Sequence, residues 1–429
     1  MTMFELLRQA LPVALALGLV FVAARIAGAL AARLGQPSVV AEIAAGMLAG
    51  IVLSTWGTVP HHLLIPLKLI GQVGLALFLV GAVHEMRTRF AHDRAAAAGR
   101  TVGWVTAGAF FIPLIAGTLL AGWVLLAGDS RLRGTAPTSS FMLLVTVSLA
   151  ITAVPVLARI LADRNMAAAA DGRLALAAAV IIDAASWPLL AVAIAIDAGV
   201  SGDAARPMAA LAIGVTSAVI MRAIMRRPLF GRLCVHLPRA VPLLLGLAAV
   251  IGSAGTEHYG LTAIFGAVLV GMVVPPDSPA APWSDSVRAV ARTGRFLVPV
   301  YFVVTGMTIL NGPPGASTWV ALLPAMALAT GLAVVGKVGG GYLGARLGGR
   351  PHLSALRVGV LVNTRGLTEI VVVQAGYSAG ILTAGIYLAL IVMALVTTAL
   401  TVPLLSRIDN AQGRKEPVSG ARRAVGAQP

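Results

Sequence analysis

One carboxylic acid lies alone in the middle of a long apolar segment. The run from Leu174 to Ala195 has Asp183 near its centre, contains no other charged residue, and has Pro188 about one turn further on. Inserting a charged side chain at the centre of a bilayer costs at least about 2.5 to 3.5 kcal/mol, so such a residue has a polar partner, contacts water or serves a function. A carboxylate there can hold one proton or one small cation, and these occupancies exclude each other. Asp183 therefore has the chemistry of an exchange site.

A lysine is the second ionisable residue inside an apolar run. Lys337 precedes Arg346 by nine residues, which places its Cα about 13 Å from the end of the span. Its ammonium can pair with a carboxylate in the resting state and yield when a cation arrives. Structural alternatives exist for both residues: a protonated Asp183 hydrogen-bonded to a neighbouring helix, and a Lys337 side chain that extends towards water.

Residues that interrupt helices are concentrated at two places about 210 positions apart. One contains Thr152 and Pro155, and the other contains Asn363 and Gly366. Paired interruptions in two halves of a chain are typical of an inverted repeat, whose unwound backbone lies at the membrane midplane and can bind ions. Thr152 would add a hydroxyl oxygen to such a site. The alternative is that Pro and Gly are simply common in transmembrane helices.

Two oppositely charged residues flank the second interruption. Arg365 and Glu369 are four positions apart, hence on one helical face, and can form an ion pair. A pair that neutralises itself beside a helix break most simply anchors that break. We therefore interpret it as structural.

The elements that must position these residues are membrane helices. Of the 429 residues 58% are apolar and 11% charged, which excludes a soluble globular protein. Windows of about 20 apolar residues predict an all-α polytopic membrane protein with about 13 transmembrane helices. These begin near Leu11, Val39, Leu63, Thr101, Phe141, Leu174, Met208, Ala240, Leu261, Phe296, Trp319, Leu353 and Ile381.

The charge distribution predicts the orientation in the membrane. The net charge is +16, but the basic residues fall in short gaps between apolar runs, which argues against nucleic-acid binding. Of the 32 Lys and Arg residues, 24 lie in alternate gaps and five in the opposite ones. The positive-inside rule then puts the C-terminus in the cytoplasm, and an odd number of spans puts the N-terminus outside. We expect a multi-pass protein of the cytoplasmic membrane.

Domain organisation and cofactors follow from the same composition. Residues 1–408 are predicted to form the transmembrane domain, and 409–429 a short, basic, disordered cytoplasmic tail, too short for a nucleotide-binding domain. Cys234 is the one cysteine and cannot form an internal disulfide, and the seven histidines show no zinc-site spacing. We expect no cofactor, no metal beyond a transported cation, and no enzymatic activity.

Two stretches resemble the interrupted helices of the monovalent cation:proton antiporter-2 family. They are SLAITAVPVLARIL at 148–161 and VNTRGLTEIVVV at 362–373, and three further stretches, 36–46, 260–271 and 296–306, follow in the family's order. The resemblance covers almost the full length. It implies a sodium/proton antiporter fold with two crossed broken helices in a core domain, a dimerisation domain, and elevator-like alternating access in a homodimer.

The resemblance also assigns the intramembrane acid. The family has two adjacent polar residues in the helix after the first break, with tryptophan four positions beyond the second, so Trp187 places Asp183 on the essential aspartate. Ile182 departs from the pattern. In relatives with two aspartates the first pairs with the lysine corresponding to Lys337. Here Lys337 must pair with Asp183, find another acid such as Glu369, or be kept neutral by desolvation, and stoichiometry and net charge moved stay open.

Three functions are compatible with these residues. The leading one is exchange of Na⁺ or K⁺ for H⁺ at Asp183. The two cations differ in the cavity size and ligand number that they require, and the sequence indicates only the type of ligand. The second is proton-coupled export of an organic compound, if Ile182 makes the cavity more apolar. The third, a channel or sensor, is disfavoured because no repeated carbonyl filter is present and each break occurs once. Without a nucleotide-binding domain, ligand-gated potassium release is also disfavoured.

Overall fold

The computed structural model is built from α-helices. It describes residues 3–33, 41, 44–46, 48–50, 52, 61–92, 99–166, 169–200, 205–259, 263–275, 277, 282–309 and 316–413. Within these residues there is no β-strand, and fifteen helices have defined bounds. The predicted all-α class is therefore confirmed for this part of the chain.

The helices are numbered here in chain order. They are α1 (Met3–Arg33), α2 (His61–His92), α3 (Arg100–Ala127), α4 (Thr138–Ala150), α5 (Val154–Asp163), α6 (Ala170–Val200), α7 (Ala205–Met225), α8 (Pro228–His236), α9 (Ala240–His258), α10 (Ala263–Val273), α11 (Trp283–Ile309), α12 (Ala316–Leu347), α13 (His352–Val362), α14 (Leu367–Ser378) and α15 (Ala384–Gly413).

Six of these helices are long and apolar enough to cross a membrane, namely α2, α3, α6, α9, α12 and α15. Shorter apolar segments lie in α1, α4, α7 and α13. The predicted span near Val39 lies mostly outside the described residues, so the total of thirteen spans stays a prediction. The helix α15 continues to Gly413, five residues past the predicted domain boundary at 408, and residues 414–429 lie outside the described part.

Most predicted starts lie within four residues of a helix start, and the largest exception is α11. It begins at Trp283, thirteen residues before the predicted Phe296. The extra turns are amphipathic: Val287 and Val290 are buried, whereas Arg288 and Arg292 are exposed. A window that requires continuous apolarity misses such turns because half of their surface is polar. The helix α8 has only nine residues, which is shorter than the window of about 20 apolar residues used for membrane spans.

Glycines bring α3 and α12 close together. A Cβ on Gly108 would overlap the backbone of Gly340, and one on Gly344 would overlap the carbonyl of Trp104. Small residues at such crossings let helix backbones approach closely inside a membrane. The close approach places Lys337 of α12 next to the α3 backbone at Ala109.

The buried apolar residues form two large clusters that meet at a polar layer. One contains Leu149, Trp187 and Ile370, and the other contains Ala153, Ile182 and Val362. Four parts of the chain pass from one cluster to the other: α4–α5, α6, α12 and α13–α14. Each of them has a buried polar residue at the crossing point. These residues are Thr152, Asp183, Lys337 and the segment Asn363–Glu369.

Candidate functional site

The first predicted interruption is an unwound segment between two short helices. The helix α4 ends at Ala150, residues 151–153 are non-helical, and α5 begins at Val154. Proline has no N–H and cannot donate to the carbonyl four residues earlier. Pro155 therefore leaves the carbonyl of Ile151 without an intrahelical donor, and the backbone of Ile151 is extended (φ −64°, ψ 148°). Proline alone does not end a helix here, since α3 and α6 continue through Pro113 and Pro188.

The second interruption lies directly against the first. The helix α13 ends at Val362 and α14 begins at Leu367. The backbone N–H of Ala153 donates to the carbonyl of Thr364 at 3.0 Å, and the Thr152 hydroxyl donates to the carbonyl of Val362 at 3.1 Å. The structure thus joins two segments some 210 residues apart through unpaired backbone groups that would otherwise be unsatisfied in the membrane.

Gly366 and Asn363 hold this contact in different ways. A Cβ on Gly366 would lie 2.6 Å from Cγ2 of Val156 in α5, so only glycine allows the two breaks to approach this closely. The Asn363 side-chain amide donates to the carbonyl of Thr397 in α15 at 3.3 Å. The amide oxygen of Asn363, Oδ1, is buried without a hydrogen bond from any described residue.

The predicted ion pair between Arg365 and Glu369 is present and fully buried. The Arg365 guanidinium donates to Glu369 Oε1 at 2.5 Å and also to the carbonyls of Ser148 at 2.8 Å and Leu149 at 2.5 Å. The last carbonyls of a helix have no partner inside the helix and carry partial negative charge. Arg365 therefore anchors its own break and also caps α4 in the other half of the chain.

Lys337 also binds a carbonyl at the C-terminal end of α4. Its side chain is fully buried, and Nζ donates to the carbonyl of Ala109 at 2.9 Å and to the carbonyl of Ala150, the last residue of α4. Among the described residues no acid lies within ion-pair distance of Nζ; the charges that interact with it at longer range are Arg365, Glu369 and Asp183. The partners of the lysine are thus backbone carbonyls, which none of the three sequence-based options named.

Asp183 has a different environment. It is 5% exposed, and in the described part of the chain no hydrogen bond or ion pair reaches its carboxyl group; Lys337 is the charge that interacts with it. The next residues, Ala184 and Ala185, are exposed, as are Pro188 and Val192 one and two turns on. The carboxyl group therefore lies at the edge between a packed interior and an open stripe of α6.

The position before Asp183 does not face that stripe. Ile182 is fully buried in the second apolar cluster, and its carbonyl accepts a hydrogen bond from the Ser186 hydroxyl at 2.8 Å. The helix α6 packs against α3, α4, α5 and α13, so it adjoins both interrupted pairs. The structure therefore brings Asp183, Lys337, Thr152 and the Arg365–Glu369 pair into one buried polar layer.

Threonines of α15 were missed by the sequence interpretation. The Thr398 hydroxyl accepts from the backbone N–H of Arg365 at 2.9 Å and donates to the Arg365 carbonyl at 2.8 Å. The same hydroxyl is 2.9 Å from the carbonyl of Ala394 in its own helix, so the two carbonyls share its one proton. The hydroxyls of Thr397 and Thr401 bond within α15, as threonine hydroxyls usually do. The signal that would have identified the set is the spacing of three threonines within one turn and a half of an apolar helix.

A second polar cluster lies where α6 and α13 begin. Arg350 donates to Asp171 at 2.6 Å, and the Ser354 hydroxyl donates to the same carboxylate at 2.5 Å. A cavity of about 510 Å³ opens beside these residues and is also lined by His352 and Arg357. In the described residues no group of three or more His, Cys, Asp or Glu side chains could hold a resident metal ion.

Comparison with known proteins identifies relatives over nearly the whole chain. Cation/H(+) antiporter 18 of Arabidopsis thaliana is 31% identical over 391 residues, covering 87% of this chain and 46% of that protein. The Na(+)/H(+) antiporter NhaS4 of Synechocystis is 28% identical, covering 90% and 94%. The K(+)/H(+) antiporter 1 of Saccharomyces cerevisiae is 28% identical, covering 86% and 43%. This chain spans about half the length of its Arabidopsis relatives.

A solved structure and a family model complete the comparison. The sodium/proton antiporter MjNhaP1 of Methanocaldococcus jannaschii superposes with a TM-score of 0.58 at 14% identity, covering 95% of this chain and 99% of that one, which shows a shared fold. The model for the transmembrane part of sodium/hydrogen exchangers matches residues 20–408. With nine-tenths of its length matched, this chain belongs to the sodium/hydrogen exchanger family of monovalent cation:proton antiporters.

Proposed function

We propose that this protein exchanges a monovalent cation, Na⁺ or K⁺, for H⁺ across the cytoplasmic membrane, with the Asp183 carboxylate as the shared site. The observation that carries the proposal is a buried carboxyl group in the middle of α6, without a partner in the described residues, at the edge of an exposed stripe. A carboxyl group so placed has no ligand among the described residues to displace when a cation binds. Relatives named as Na⁺/H⁺ and K⁺/H⁺ antiporters support the choice of cargo.

One carboxylate is sufficient for coupling. When the site faces one side of the membrane, Asp183 releases its proton and binds a cation through its oxygen atoms, and after reorientation the reverse occurs on the other side. The proton and the cation compete for the same carboxylate oxygens. The site therefore carries either a proton or a cation each time it reorients, and never both. The exposed stripe of Ala184, Ala185 and Pro188 would be the wall along which water and ions reach the carboxylate.

Two neighbours complete the proposed site. The Thr152 hydroxyl donates a hydrogen bond to the carbonyl of Val362, so the lone pairs of its oxygen remain available to bind a cation. Lys337 is the electrostatic partner: its positive charge, fixed by the carbonyls of Ala109 and Ala150, attracts the empty Asp183 carboxylate and competes with the arriving cation. The Arg365–Glu369 pair keeps the unwound segments in place and does not itself exchange ions.

The larger architecture is part of the proposal. We infer thirteen spans with crossed broken helices, a core and a dimerisation domain, and alternating access in a homodimer, with the N-terminus outside and the C-terminus in the cytoplasm. The contacts between the two interruptions, the shared fold and the distribution of basic residues support these inferences.

Proton-coupled export of an organic compound is less well supported than cation exchange. That alternative depended on Ile182 lining the transport cavity, but Ile182 is fully buried in an apolar cluster. Proton flux evoked by an organic solute and insensitive to Na⁺ and K⁺ would favour it. Flux that does not saturate and follows the cation gradient alone would favour a channel.

Substitution of Asp183 by Asn tests the site. In proteoliposomes with an imposed pH gradient, Asp183→Asn is expected to lower Na⁺- or K⁺-dependent dissipation to the level of protein-free liposomes, because an amide neither ionises nor binds a cation electrostatically. Asp197→Asn, near the end of the same helix, is the matched control and should retain exchange. A fully active Asp183→Asn protein would refute the assignment.

A further inference from the structure

An arginine lies within an apolar segment on the surface of α1. Arg25 is the one charged residue of the segment Leu17–Ala31, and its side chain is exposed. Its neighbours on the surface are apolar, with Val22 57% and Ile26 56% exposed. Arg25 lies eight residues before Arg33, about 12 Å along the helix from its basic end. A long side chain at that depth can place its charge among lipid headgroups.

The helix α1 packs against α11, which also carries exposed arginines. The rings of Phe21 and Phe296 stack with centroids 4.2 Å apart. Leu17 and Val20, which precede Phe21, belong to the same cluster as residues of α11 that follow Phe296, namely Val300, Val303 and Val304. The two helices are therefore antiparallel at this contact.

The register then follows from helix geometry. Side chains four residues apart lie above one another on one face of a helix. Arg25 is four residues after Phe21, and Arg292 is four residues before Phe296. In this antiparallel register the two positions are at the same level, one turn from the stacked rings. Arg295 precedes Phe296 directly and is also exposed. By this register the exposed positions Arg25, Arg292 and Arg295 fall at one margin of an apolar surface, and we refer to them as the arginine cluster.

This arginine cluster has no acidic partner within the described residues. The nearby acid of α11, Asp285, pairs with Arg288 at 2.5 Å. No ion pair joins Arg25, Arg292 or Arg295 to a carboxylate in that part of the chain. Adjacent like charges repel one another, and the repulsion is greater beside hydrocarbon than in water. The cluster therefore favours an anion held from outside the protein.

We propose that the arginine cluster binds the phosphate of an anionic phospholipid in the leaflet at the Arg33 end of α1. Guanidinium groups present paired N–H donors that match phosphate oxygens. The adjoining exposed side chains of Val22, Ile26 and Phe296 offer an apolar surface for an acyl chain. Both parts of one lipid molecule are thus matched, which a free phosphate or a zwitterionic lipid does not achieve.

Lipid binding to the full-length protein tests the proposal. The protein in neutral detergent is titrated with phosphatidylglycerol, phosphatidylcholine and glycerol phosphate, and bound lipid is counted by native mass spectrometry. Phosphatidylglycerol is expected to bind at least tenfold more tightly than the other two probes. Since one arginine near an anionic lipid contributes about fivefold in affinity, Arg25→Gln/Arg292→Gln should lose roughly 25-fold. Arg407→Gln, an exposed arginine at the other end of the chain, is the matched control and should keep wild-type affinity.

Several outcomes would overturn the proposal. If phosphatidylcholine bound as tightly as phosphatidylglycerol, the negative charge of the lipid would not matter for binding. If glycerol phosphate bound as tightly, the apolar surface would not contribute to binding. Equal loss in Arg407→Gln would indicate a general charge effect. If the double variant changes the oligomeric mass without lipid present, a second copy of the chain covers the cluster instead. If the double variant does not fold, the single variant Arg292→Gln and the comparison of the three probes on the wild-type protein still test the proposal. Unchanged affinity in the single variant would contradict it.

Discussion

At the level of single residues, the two central charges of the polar layer have opposite surroundings. Lys337 is bound to two carbonyls, whereas the Asp183 carboxylate has no hydrogen bond from a described residue. A charge with fixed partners holds its position, and one without them is available to ligands. This asymmetry supports Asp183 as the exchanging group and Lys337 as the fixed electrostatic partner.

Substitution of Lys337 by Gln separates these roles. A Gln side chain is polar and keeps an N–H donor near the carbonyls of Ala109 and Ala150, so the fold should persist, but the positive charge near Asp183 is lost. Protons then bind Asp183 more tightly, and the pH of half-maximal exchange should rise by about one unit, equivalent to roughly 1.4 kcal/mol. The pH profile of cation-dependent flux in proteoliposomes measures the shift. An unchanged or lowered midpoint would contradict an electrostatic role.

At the level of elements, α4 ends inside the protein because side chains from distant segments satisfy its carbonyls. Ser148 and Leu149 receive hydrogen bonds from Arg365, and Ala150 receives one from Lys337. The two cations also oppose the negative end of the helix dipole. Removing one member of a buried pair such as Arg365–Glu369 typically costs about 3 to 5 kcal/mol because the other charge is left unpaired. The broken helices are therefore held by each other's residues.

The contact between the two breaks depends on a missing side chain. Gly366→Ala would place a methyl group against Val156, and the overpacking is expected to destabilise the protein by about 1 to 3 kcal/mol and to slow exchange. Gly122→Ala in α3 is the control, because its Cβ would meet nothing within 4 Å. Thermal unfolding in detergent measures both variants. Equal stability of the two would show that the breaks can separate without cost.

At the level of the whole molecule, the proposed mechanism with one exchanging carboxylate limits the charge that each cycle can move. Lys337 is held by carbonyls and Glu369 is paired with Arg365, which leaves Asp183 as the acid of the polar layer without a fixed partner in the described residues. One monovalent cation then replaces one proton. Such a cycle transports no net charge, in contrast to one that uses two titrating groups.

An imposed membrane potential tests this stoichiometry. Electroneutral exchange predicts that the initial rate of cation-dependent pH change in proteoliposomes is the same, within about 20%, with and without a 100 mV potential. A single uncompensated charge would gain about 2.3 kcal/mol from that potential and should change the rate severalfold. A rate that follows the sign of the voltage would require a second proton carrier, for which Lys337 would be the first candidate.

The sequence by itself determined which residues could do chemistry. An isolated charge in an apolar run, a proline that removes a helix hydrogen bond and an acid four residues from an arginine are local patterns, and their physical cost is the same wherever the segment packs. Asp183, the two interruptions and the Arg365–Glu369 pair were therefore predictable. Only the tertiary structure decided that Lys337 binds carbonyls, that Arg365 caps α4, that Thr398 holds the second break and that Phe21 stacks on Phe296. These contacts join segments that are about 30 to more than 250 residues apart, and local periodicity contains no information about which distant surfaces meet.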